Sequence, residues 1–314
     1  MIIKKDINIG SISWLAGSYT EHSQCLAENY YVPETLDELT ELCRDLYNQK
    51  KEFDLVGHTS NIYFRPNYKT ENLISTRKIN KYLECENTIS CQCGVSVKTL
   101  SKEMVDKGIE GFAGLIDLPG TVAAAIYGNA SCFGDSISKL LHSLTLLLPN
   151  GKIKEYYPVD LKFQHRSSSL KRHEMKGVIL TVTLNKICGD VEKINLLAQR
   201  NHDLRMKTQP GPKNNLGSVF KFCSNTTVKG IIIKGMSVII AKVMHPKVRK
   251  NDLYKEKTEI ACLLMNRKEI SKFLPYGFNR YIWSSPRAHD LFDIYINTFK
   301  SIYKNAELEI EIKG

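Results

Sequence analysis

Residues 111–140 read GFAGLIDLPGTVAAAIYGNASCFGDSISKL, a stretch dominated by Gly, Ala and Ser with one Pro. Small side chains let a backbone come close to another backbone or to a ligand. Two segments within it, LPGTV (118–122) and NASCFG (129–134), offer backbone N–H donors with little side-chain bulk. We therefore predict two loops against which a ligand packs closely. Their binding residues would be Pro119, Gly120, Thr121, Asn129, Ala130 and Gly134.

Outside this stretch, helical and strand patterns mix without a strict βαβ alternation. Thr35, Ser96 and Asp190 are predicted helix N-caps, and the helix after Asp190 runs to about residue 207. A further helix is predicted near 288–304, and Asn150-Gly151 predicts a type I′ hairpin turn. Strands are predicted at 53–56, 73–76, 88–93, 142–148, 178–184, 231–233, 238–241 and 307–312. This mixture favours an α+β fold over a doubly wound parallel sheet.

A third candidate ligand loop follows the short predicted strand at 53–56. The segment LVGHTSNI (55–62) contains Gly57, Thr59, Ser60 and Asn61, and such a turn can present several backbone N–H groups to a phosphate. Most turns of this composition are only turns, so alone it is a weak signal. Together with 118–134 it would suit a dinucleotide diphosphate. No G-x-G-x-x-G opens a helix, so this would not be the Rossmann arrangement.

Three further segments carry chemically useful side chains. Arg166 stands beside hydroxyls in FQHRSS (163–168), and Ser218 lies in LGSVFK (216–221). Glu309 and Glu311 share one face of the alternating LEIEI (308–312). An arginine beside hydroxyls can hold a carboxylate or phosphate. Each of these also has an ordinary alternative: a surface arginine, a polar serine, a solvated edge strand.

Composition limits the class of protein and of partner. The chain has 314 residues, enough for two or three domains, and a formal charge of +11, which favours anionic partners such as nucleic acid, a phosphate-bearing cofactor or a nucleotide-sugar. The nine scattered cysteines, without a secretory pattern at MIIKKDINIG, are typical of reduced cytosolic thiols. Cys85, Cys91 and Cys93 lack a zinc spacing, so we expect no metal. Alternation points Cys91 and Cys93 the same way, into a core.

In chain order, these segments resemble the motifs of one flavoenzyme family, the UDP-N-acetylenolpyruvoylglucosamine reductases (UDP-N-acetylmuramate dehydrogenases). That family has Gly-Gly-Gly-Ser-Asn, Gly-Ile-Pro-Gly-Thr-Val-Gly-Gly-Ala, Asn-Ala-Gly-Ala-Tyr-Gly, Tyr-Arg-x-Ser, Gln-Pro with Gly-Ser-Val-Phe-Lys, and a final Leu-Glu-x-Glu-Val. The corresponding segments here are GHTSN (57–61), DLPGTVAAA (117–125), NASCFG (129–134), HRSS (165–168), QP (209–210), GSVFK (217–221) and LEIEI (308–312). No single motif is specific to this family, but the order of the motifs along residues 50–312 is specific to it.

The resemblance implies a fold and a domain organisation. Two subdomains, 1–75 and 76–205, would form an FAD-binding module of the PCMH-like type, with His58 and the rest of 57–61 at the cofactor. An α+β substrate-binding domain would occupy 206–307. The C-terminal strand, 308–314, would return to the active site. The expected protein is cytoplasmic and monomeric, with a nucleotide-sugar substrate and neither nucleic acid nor membrane as a partner.

The resemblance also implies a reaction of peptidoglycan precursor synthesis. NADPH would reduce FAD, and the flavin would pass hydride to the enolpyruvyl double bond of UDP-N-acetylglucosamine enolpyruvate, giving UDP-N-acetylmuramate. Ser218 would protonate the resulting carbanion-like carbon, while Arg166 and Glu311 would hold and polarise the carboxylate. Glu311 is preferred to Glu309 because it is the second Glu of the motif.

Several departures from the family pattern leave alternatives open. His58 and Thr59 replace glycines, and Asp117, also in place of a glycine, would repel a diphosphate unless it points away. His58 lies in a turn similar to the Gly-Gly-His-Ser turn of related flavin oxidases, where the histidine bonds to the flavin. Residues 223–287 lack the family's Ala-Gly-x-Leu-Ile-Glu and His-Ala-Asn-Phe-Ile-Val-Asn. The alternatives are an FAD-dependent oxidoreductase for another nucleotide-sugar or other substrate, or a non-catalytic FAD-binding homologue.

Overall fold

The structure is a computed structural model that describes residues 1–19, 24–211, 213–221, 225–247 and 253–314. The chain divides into two compact units. The first contains residues 1–7, 26–59 and 69–207, and the second contains residues 8–25, 60–68 and 208–314. The functional division at residues 75, 205 and 307 stays a prediction. Cys223 lies outside the described residues.

The first unit is built on two sheets. In spatial order, the four-stranded sheet consists of β1 (Ile2–Asn8), β2 (Leu26–Val32), β5 (Lys69–Ser75) and β3 (Asp54–Val56). Both β2 and β3 run parallel to β5. The five-stranded sheet is antiparallel and consists of β11 (Ile153–Tyr156), β10 (Leu141–Leu147), β12 (Val178–Asn185), β7 (Thr88–Gln92) and β6 (Tyr82–Glu84). A short hairpin joins β8 (Ser131–Cys132) to β9 (Asp135–Ser136).

The predicted caps of the first unit are confirmed. Backbone N–H groups three residues on donate to the side chains of Thr35, Ser96 and Asp190. The helices are α2 (Leu36–Asn48), α3 (Val97–Asp106), α4 (Val122–Gly128), α5 (Ile137–Leu140) and α6 (Val191–Thr208), with a 3₁₀ turn at Ala113–Leu115. Cys91 and Cys93 are buried in the core, as predicted, and burial raises the pKa of both thiols to about 12.

The second unit is mainly helical, with one two-stranded parallel sheet. Its helices are α1 (Ile9–Ile12), α7 (Val228–Met244), α8 (Tyr254–Leu264), α9 (Lys268–Ser271), α10 (Arg287–Asp290) and α11 (Phe292–Ile302), with a 3₁₀ turn at Ala16–Ser18. Its strands are β4 (Ile62–Phe64) and β13 (Glu311–Lys313). Aromatic rings fill the core, where Phe220 and Phe299 stack with centroids 3.9 Å apart. Among the described residues, no helix combines the length and apolar composition needed to cross a membrane.

The predicted strands at 231–233 and 238–241 are wrong, because both lie in the continuous helix α7. Runs of Ile and Val favour strands by intrinsic preference. The helix forms instead because Thr227 caps it, accepting a hydrogen bond from the Gly230 N–H, and because its buried residues recur at helical spacing. The predicted strand at 307–312 is also shorter than expected, since regular pairing begins only at Glu311.

The turn between β10 and β11 is a hairpin, but the predicted type I′ geometry is wrong. Gly151 has a positive φ of 76°, whereas Asn150 does not have one. The Gly151 N–H donates to the Leu148 carbonyl, which places Pro149 and Asn150 at the two central positions. Type I′ needs positive φ at both, and the proline ring fixes φ near −65°.

His289 is a buried histidine in the core of the second unit. Its Nε2 lies 3.0 Å from the Ser18 hydroxyl, and its Nδ1 lies 3.2 Å from the Tyr63 hydroxyl. The ring also packs on Tyr19, with centroids 4.4 Å apart. Burial lowers the pKa of His289 to about 4. The folded protein therefore holds a neutral imidazole at pH values where the unfolded chain would bind a proton.

We expect His289 to make the free energy of unfolding depend on pH between about 6.5 and 4. Its stabilising contribution is fully present above the unfolded pKa and is lost as pH falls towards the folded pKa, a difference of about 3 kcal/mol. Denaturant unfolding of wild type and His289→Gln at several pH values would measure this. The wild type should lose stability relative to the variant on acidification, and parallel pH profiles would contradict the prediction.

Candidate functional site

The turn after β3 depends on the missing side chain of Gly57. A Cβ atom at Gly57 would lie 2.7 Å from the Thr121 Oγ1 and 2.8 Å from its Cγ2, which is closer than real Cβ contacts. The Gly57 carbonyl accepts a hydrogen bond of 2.9 Å from the Arg77 Nε. Thr59 completes the turn with a positive φ of 57° and is buried. The structure thus brings the turn at 57–59 and the loop at 118–122 together within the first unit.

Thr121 fixes the start of α4 as well as contacting Gly57. Its hydroxyl accepts a hydrogen bond from the Ala124 N–H, and Gly120 before it has a φ of 116°. The Gly120 carbonyl accepts a hydrogen bond from the Val97 N–H. At its other end, the Leu118 N–H donates to the Leu115 carbonyl, so the loop at 118–121 is held at both ends. The contact with Thr121 excludes a side chain at Gly57, and the positive φ of Gly120 disfavours one there.

Asn129 links the end of α4 to the turn that carries Arg166. Asn129 adopts the left-handed conformation, with φ 45°, and ends the helix. Its Nδ2 donates a hydrogen bond of 2.8 Å to the Gln164 carbonyl. Gln164 and Ser167 exchange backbone hydrogen bonds around Arg166, which itself has a φ of 54°. Asn129 therefore connects the predicted loop at 129–134 to the turn of the predicted catalytic residue Arg166.

One polar atom in this region is buried without a protein partner. The Asn129 Oδ1 has no hydrogen-bond partner among the described residues, although the Nδ2 of the same amide is paired. Buried amide oxygens are rarely left unpaired in native proteins. This atom therefore marks a place where a bound group with a donor would be stabilised.

Asp117 does not leave an uncompensated negative charge beside the loops. Its Oδ2 lies 2.6 Å from the His202 Nδ1, and its Oδ1 lies 3.8 Å from the Lys98 Nζ. The left-handed φ of 58° explains why a glycine can occupy this position in similar sequences. The carboxylate is thus held by two basic side chains.

His58 occupies the turn itself and is half-buried. Burial lowers the pKa of its imidazole, and the positive charge of Arg77 lowers it further. Both effects favour the neutral ring, so a bound anion, which would raise this pKa, would have to act against them.

In the second unit, the segment after Ser60 meets the C-terminal strand. The Asn61 Nδ2 donates to the Glu309 carbonyl at 3.2 Å, and the Glu311 N–H donates to the Asn61 carbonyl at 2.9 Å. Ile310 between them is buried in the core of this unit, whereas Glu309 and Glu311 are partly exposed. Asn61 and the two candidate glutamates therefore lie together.

Ser218 lies beside the same C-terminal segment. Its neighbour Val219 accepts a hydrogen bond from the Glu309 N–H through its carbonyl. On the other side, Asn279 anchors the segment, accepting from the Phe220 N–H and donating to the Phe220 carbonyl. The structure therefore places Ser218 and the two glutamates on adjoining segments of the second unit.

Three supporting residues were not found from the sequence. Arg77 and Asn279 anchor the segments of Gly57 and Ser218, and Gln164 receives Asn129. Arg77 follows β5, and Asn279 lies far along the chain from Phe220. No local sequence pattern therefore predicts that they anchor these segments. Among the described residues, no group of three or more His, Cys, Asp or Glu side chains could hold a metal ion.

Comparison with protein families gives one match. Residues 27–156 match the family described as FAD binding domain. This range includes the turn at Gly57 and the loops at 118–134. Arg166, Ser218 and Glu311 lie beyond it.

Comparison with curated proteins gives relatives named UDP-N-acetylenolpyruvoylglucosamine reductase. The chain is 29% identical to that of Carboxydothermus hydrogenoformans over 190 residues, which are 60% of this chain and 62% of the relative. It is 28% identical to that of Thermosipho melanesiensis over 214 residues, which are 67% of this chain and 71% of the relative. The chain thus spans less than two thirds of the length of the Carboxydothermus relative.

Among solved structures, the chain is similar to UDP-N-acetylenolpyruvylglucosamine reductase from Thermus caldophilus. The match covers 100% of both chains with a TM-score of 0.68 and 18% identity. This likeness shows the fold, and it confirms the predicted α+β class. The comparisons together confirm the resemblance that the motifs predicted.

We expect Gly57→Ala to weaken FAD binding by at least about tenfold. The new Cβ would displace Thr121, which holds both the turn and the start of α4. Gly235→Ala in the second unit is the matched control, because a Cβ there meets nothing within 4 Å and the residue lies outside the candidate flavin site. Fluorescence titration of the apoproteins with FAD would measure both affinities. Equal affinities in the two variants would show that the contact between Gly57 and Thr121 does not organise the site.

Proposed function

We propose that this protein is an FAD-dependent reductase that uses NADPH to convert UDP-N-acetylglucosamine enolpyruvate to UDP-N-acetylmuramate, a step of peptidoglycan precursor synthesis. One observation carries the proposal: the loops at 57–59 and 118–134, which match an FAD binding domain, are held together and to the turn of Arg166. The similarity to curated reductases supports the choice of substrate.

The residues of the first unit fit a dinucleotide diphosphate. Glycine at position 57 and the small residues of 118–134 allow close approach of the backbone to a diphosphate, and the buried Asn129 Oδ1 could accept from an N–H or O–H group elsewhere on the dinucleotide. Asp117, the residue that would repel phosphate, is held by His202 and Lys98. When bound, FAD would supply the transfer of hydride from NADPH to the enolpyruvyl double bond.

The protein's own groups would then control charge and protons at the substrate. The Arg166 guanidinium would hold the substrate carboxylate, towards which negative charge builds when hydride adds to the double bond. Glu311 would help to orient and polarise that carboxylate. The Ser218 hydroxyl would deliver a proton to the carbon that becomes carbanion-like. Support for these roles comes from the motif positions, and Glu309 remains the alternative to Glu311.

A second candidate is an FAD-dependent oxidoreductase for a different nucleotide-sugar. The observation in its favour is that residues 223–287 lack two family motifs and contain α7 and α8. The two candidates differ in one measurement. Bleaching of the flavin spectrum by NADPH, followed by reoxidation on adding the enolpyruvyl substrate, is expected for the first; bleaching without that reoxidation is expected for the second.

We also propose a cytoplasmic, monomeric enzyme that does not bind nucleic acid. The scattered cysteines support a reducing compartment, since the buried ones have thiols with raised pKa values and no described pair forms a disulfide. The net charge of +11 is accounted for by anionic nucleotide ligands.

We expect Ser218→Ala to leave flavin reduction by NADPH within about twofold of wild type and to slow substrate reduction by at least about a hundredfold. The hydroxyl is needed only when the substrate carbon takes up a proton. Rapid-mixing absorbance would follow the two half-reactions separately. Ser284→Ala, at an exposed serine of the same unit, is the control. Equal losses in both half-reactions would instead indicate a structural role for Ser218.

We expect acid denaturation to release all FAD into the supernatant, because a neutral, half-buried His58 needs no covalent bond to contribute to the turn. Absorbance of the supernatant and of the precipitate would measure the distribution. If the yellow colour stayed with the wild-type polypeptide but not with His58→Gln, the histidine would carry the flavin covalently.

A further inference from the structure

Helix α7 packs on its own unit through its smallest residues. Its buried positions are Gly230, Ile233, Ser237 and Ala241, which recur at intervals of three and four and so share one face. A Cβ at Gly230 would lie 2.4 Å from the Ile302 carbonyl oxygen, so the glycine allows a close approach to the end of α11. Ile233 is the one large apolar side chain among the buried positions of α7.

The large apolar side chains of α7 lie on the opposite face, where they are exposed. At 100° per residue, four of them fall within an arc of about 60° whose centre lies about 150° from Ser237. They are Val228 (72% exposed), Ile232 (56%), Ile239 (66%) and Val243 (76%). Ile231 and Met236 extend this surface on either side. An apolar surface of this kind on a folded domain marks an interaction site. We call these six residues the α7 stripe.

The charges of α7 are all positive. Lys229, Lys234 and Lys242 lie in the helix, and residues 228–244 contain no Asp or Glu. At 100° per residue, Lys229 and Lys242 lie about 40° beyond the two ends of the arc that holds Val228, Ile232, Ile239 and Val243. Lys234 lies nearer the packed face, with its Nζ 4.9 Å from the centre of the Tyr303 ring. The four apolar side chains of the arc are therefore flanked on both sides by cations with long, flexible stems.

This charge pattern distinguishes between two occupants of the α7 stripe. In a symmetric pair of copies, lysines would approach lysines, and α7 offers no carboxylate to compensate them. An anionic lipid surface offers an apolar layer for the stripe and negative headgroups for the lysines at the same depth. With 17 residues and three lysines, α7 is suited to lie in the plane of such a surface.

We propose that α7 binds this protein peripherally to anionic lipid membranes, with the α7 stripe in the headgroup–acyl boundary and its lysines at the phosphates. The proposal does not depend on the flavin chemistry. It differs from the expectation that the protein has no membrane partner.

Co-sedimentation of the full chain with vesicles tests the proposal. Wild type should bind vesicles of phosphatidylcholine with phosphatidylglycerol, more strongly than vesicles of phosphatidylcholine alone, and added salt should weaken the binding. The double variant Ile232→Glu/Ile239→Glu should have a vesicle association constant lower by at least about tenfold. Leu196→Glu/Met206→Glu is the matched control, since it adds the same charge at exposed apolar residues of α6.

A second variant separates local charge from total charge. Lys229→Gln/Lys234→Gln/Lys242→Gln should bind phosphatidylglycerol vesicles several-fold more weakly than Lys4→Gln/Lys50→Gln/Lys152→Gln, although each removes three positive charges. A cooperative thermal unfolding transition would be required of every variant before its binding is compared. Equal binding by the α7 variants and their controls would overturn the proposal. So would a wild-type dimer, in analytical ultracentrifugation, that Ile232→Glu/Ile239→Glu converts to monomer, because a second copy would then be the occupant.

Discussion

The candidate flavin site in the first unit depends on the close approach of Gly57 to Thr121, which only a residue without a side chain allows. Thr121 in turn caps α4, α4 ends at Asn129, and the amide of Asn129 holds the turn around Arg166. Each link is a backbone or short side-chain contact, so a displacement at one is passed to the next. Small residues are needed here for contact between segments as well as for space around a ligand.

Elements whose signals are local could be predicted from the sequence. The caps at Thr35, Ser96 and Asp190 depend on hydrogen bonds that span only three residues. In β7 and β12, buried and more exposed residues alternate because successive side chains of a strand point to opposite faces of the sheet. The failure at α7 arises where a distant contact outweighs local preference, whereas the turn at 149–150 was mispredicted for the local reason that Pro149 cannot adopt a positive φ. The β-branched residues of α7 favour a strand, but the helix is stabilised by its close fit to Ile302, some seventy residues away.

The candidate site was predictable to a similar extent. Motif order predicts roles for Ser218, Arg166 and the glutamates, because those residues lie in short recognisable segments, and these roles stay predictions. It does not predict the anchoring residues, since Arg77 and Asn279 bond to backbone atoms distant along the chain and Gln164 accepts through its own carbonyl. The pairing of Asp117 with His202 was equally unpredictable, because His202 lies 85 residues further along the chain. Sequence motifs thus predict candidate reacting groups more readily than the contacts that orient their segments.

The second unit separates the residues that stabilise it from those that face outward. Its core is rich in aromatic rings, with Phe220 stacked on Phe299 and Trp283 packed against Tyr63, Tyr281 and Phe292. Rings of this size bury large apolar surfaces. Helix α7 packs on this unit through Gly230, Ile233, Ser237 and Ala241. Its exposed isoleucines and valines, such as Ile232, Ile239 and Val243, lie outside that packed face. Since exposed apolar surface lowers solubility, their presence on one face flanked by lysines requires a reason outside the core.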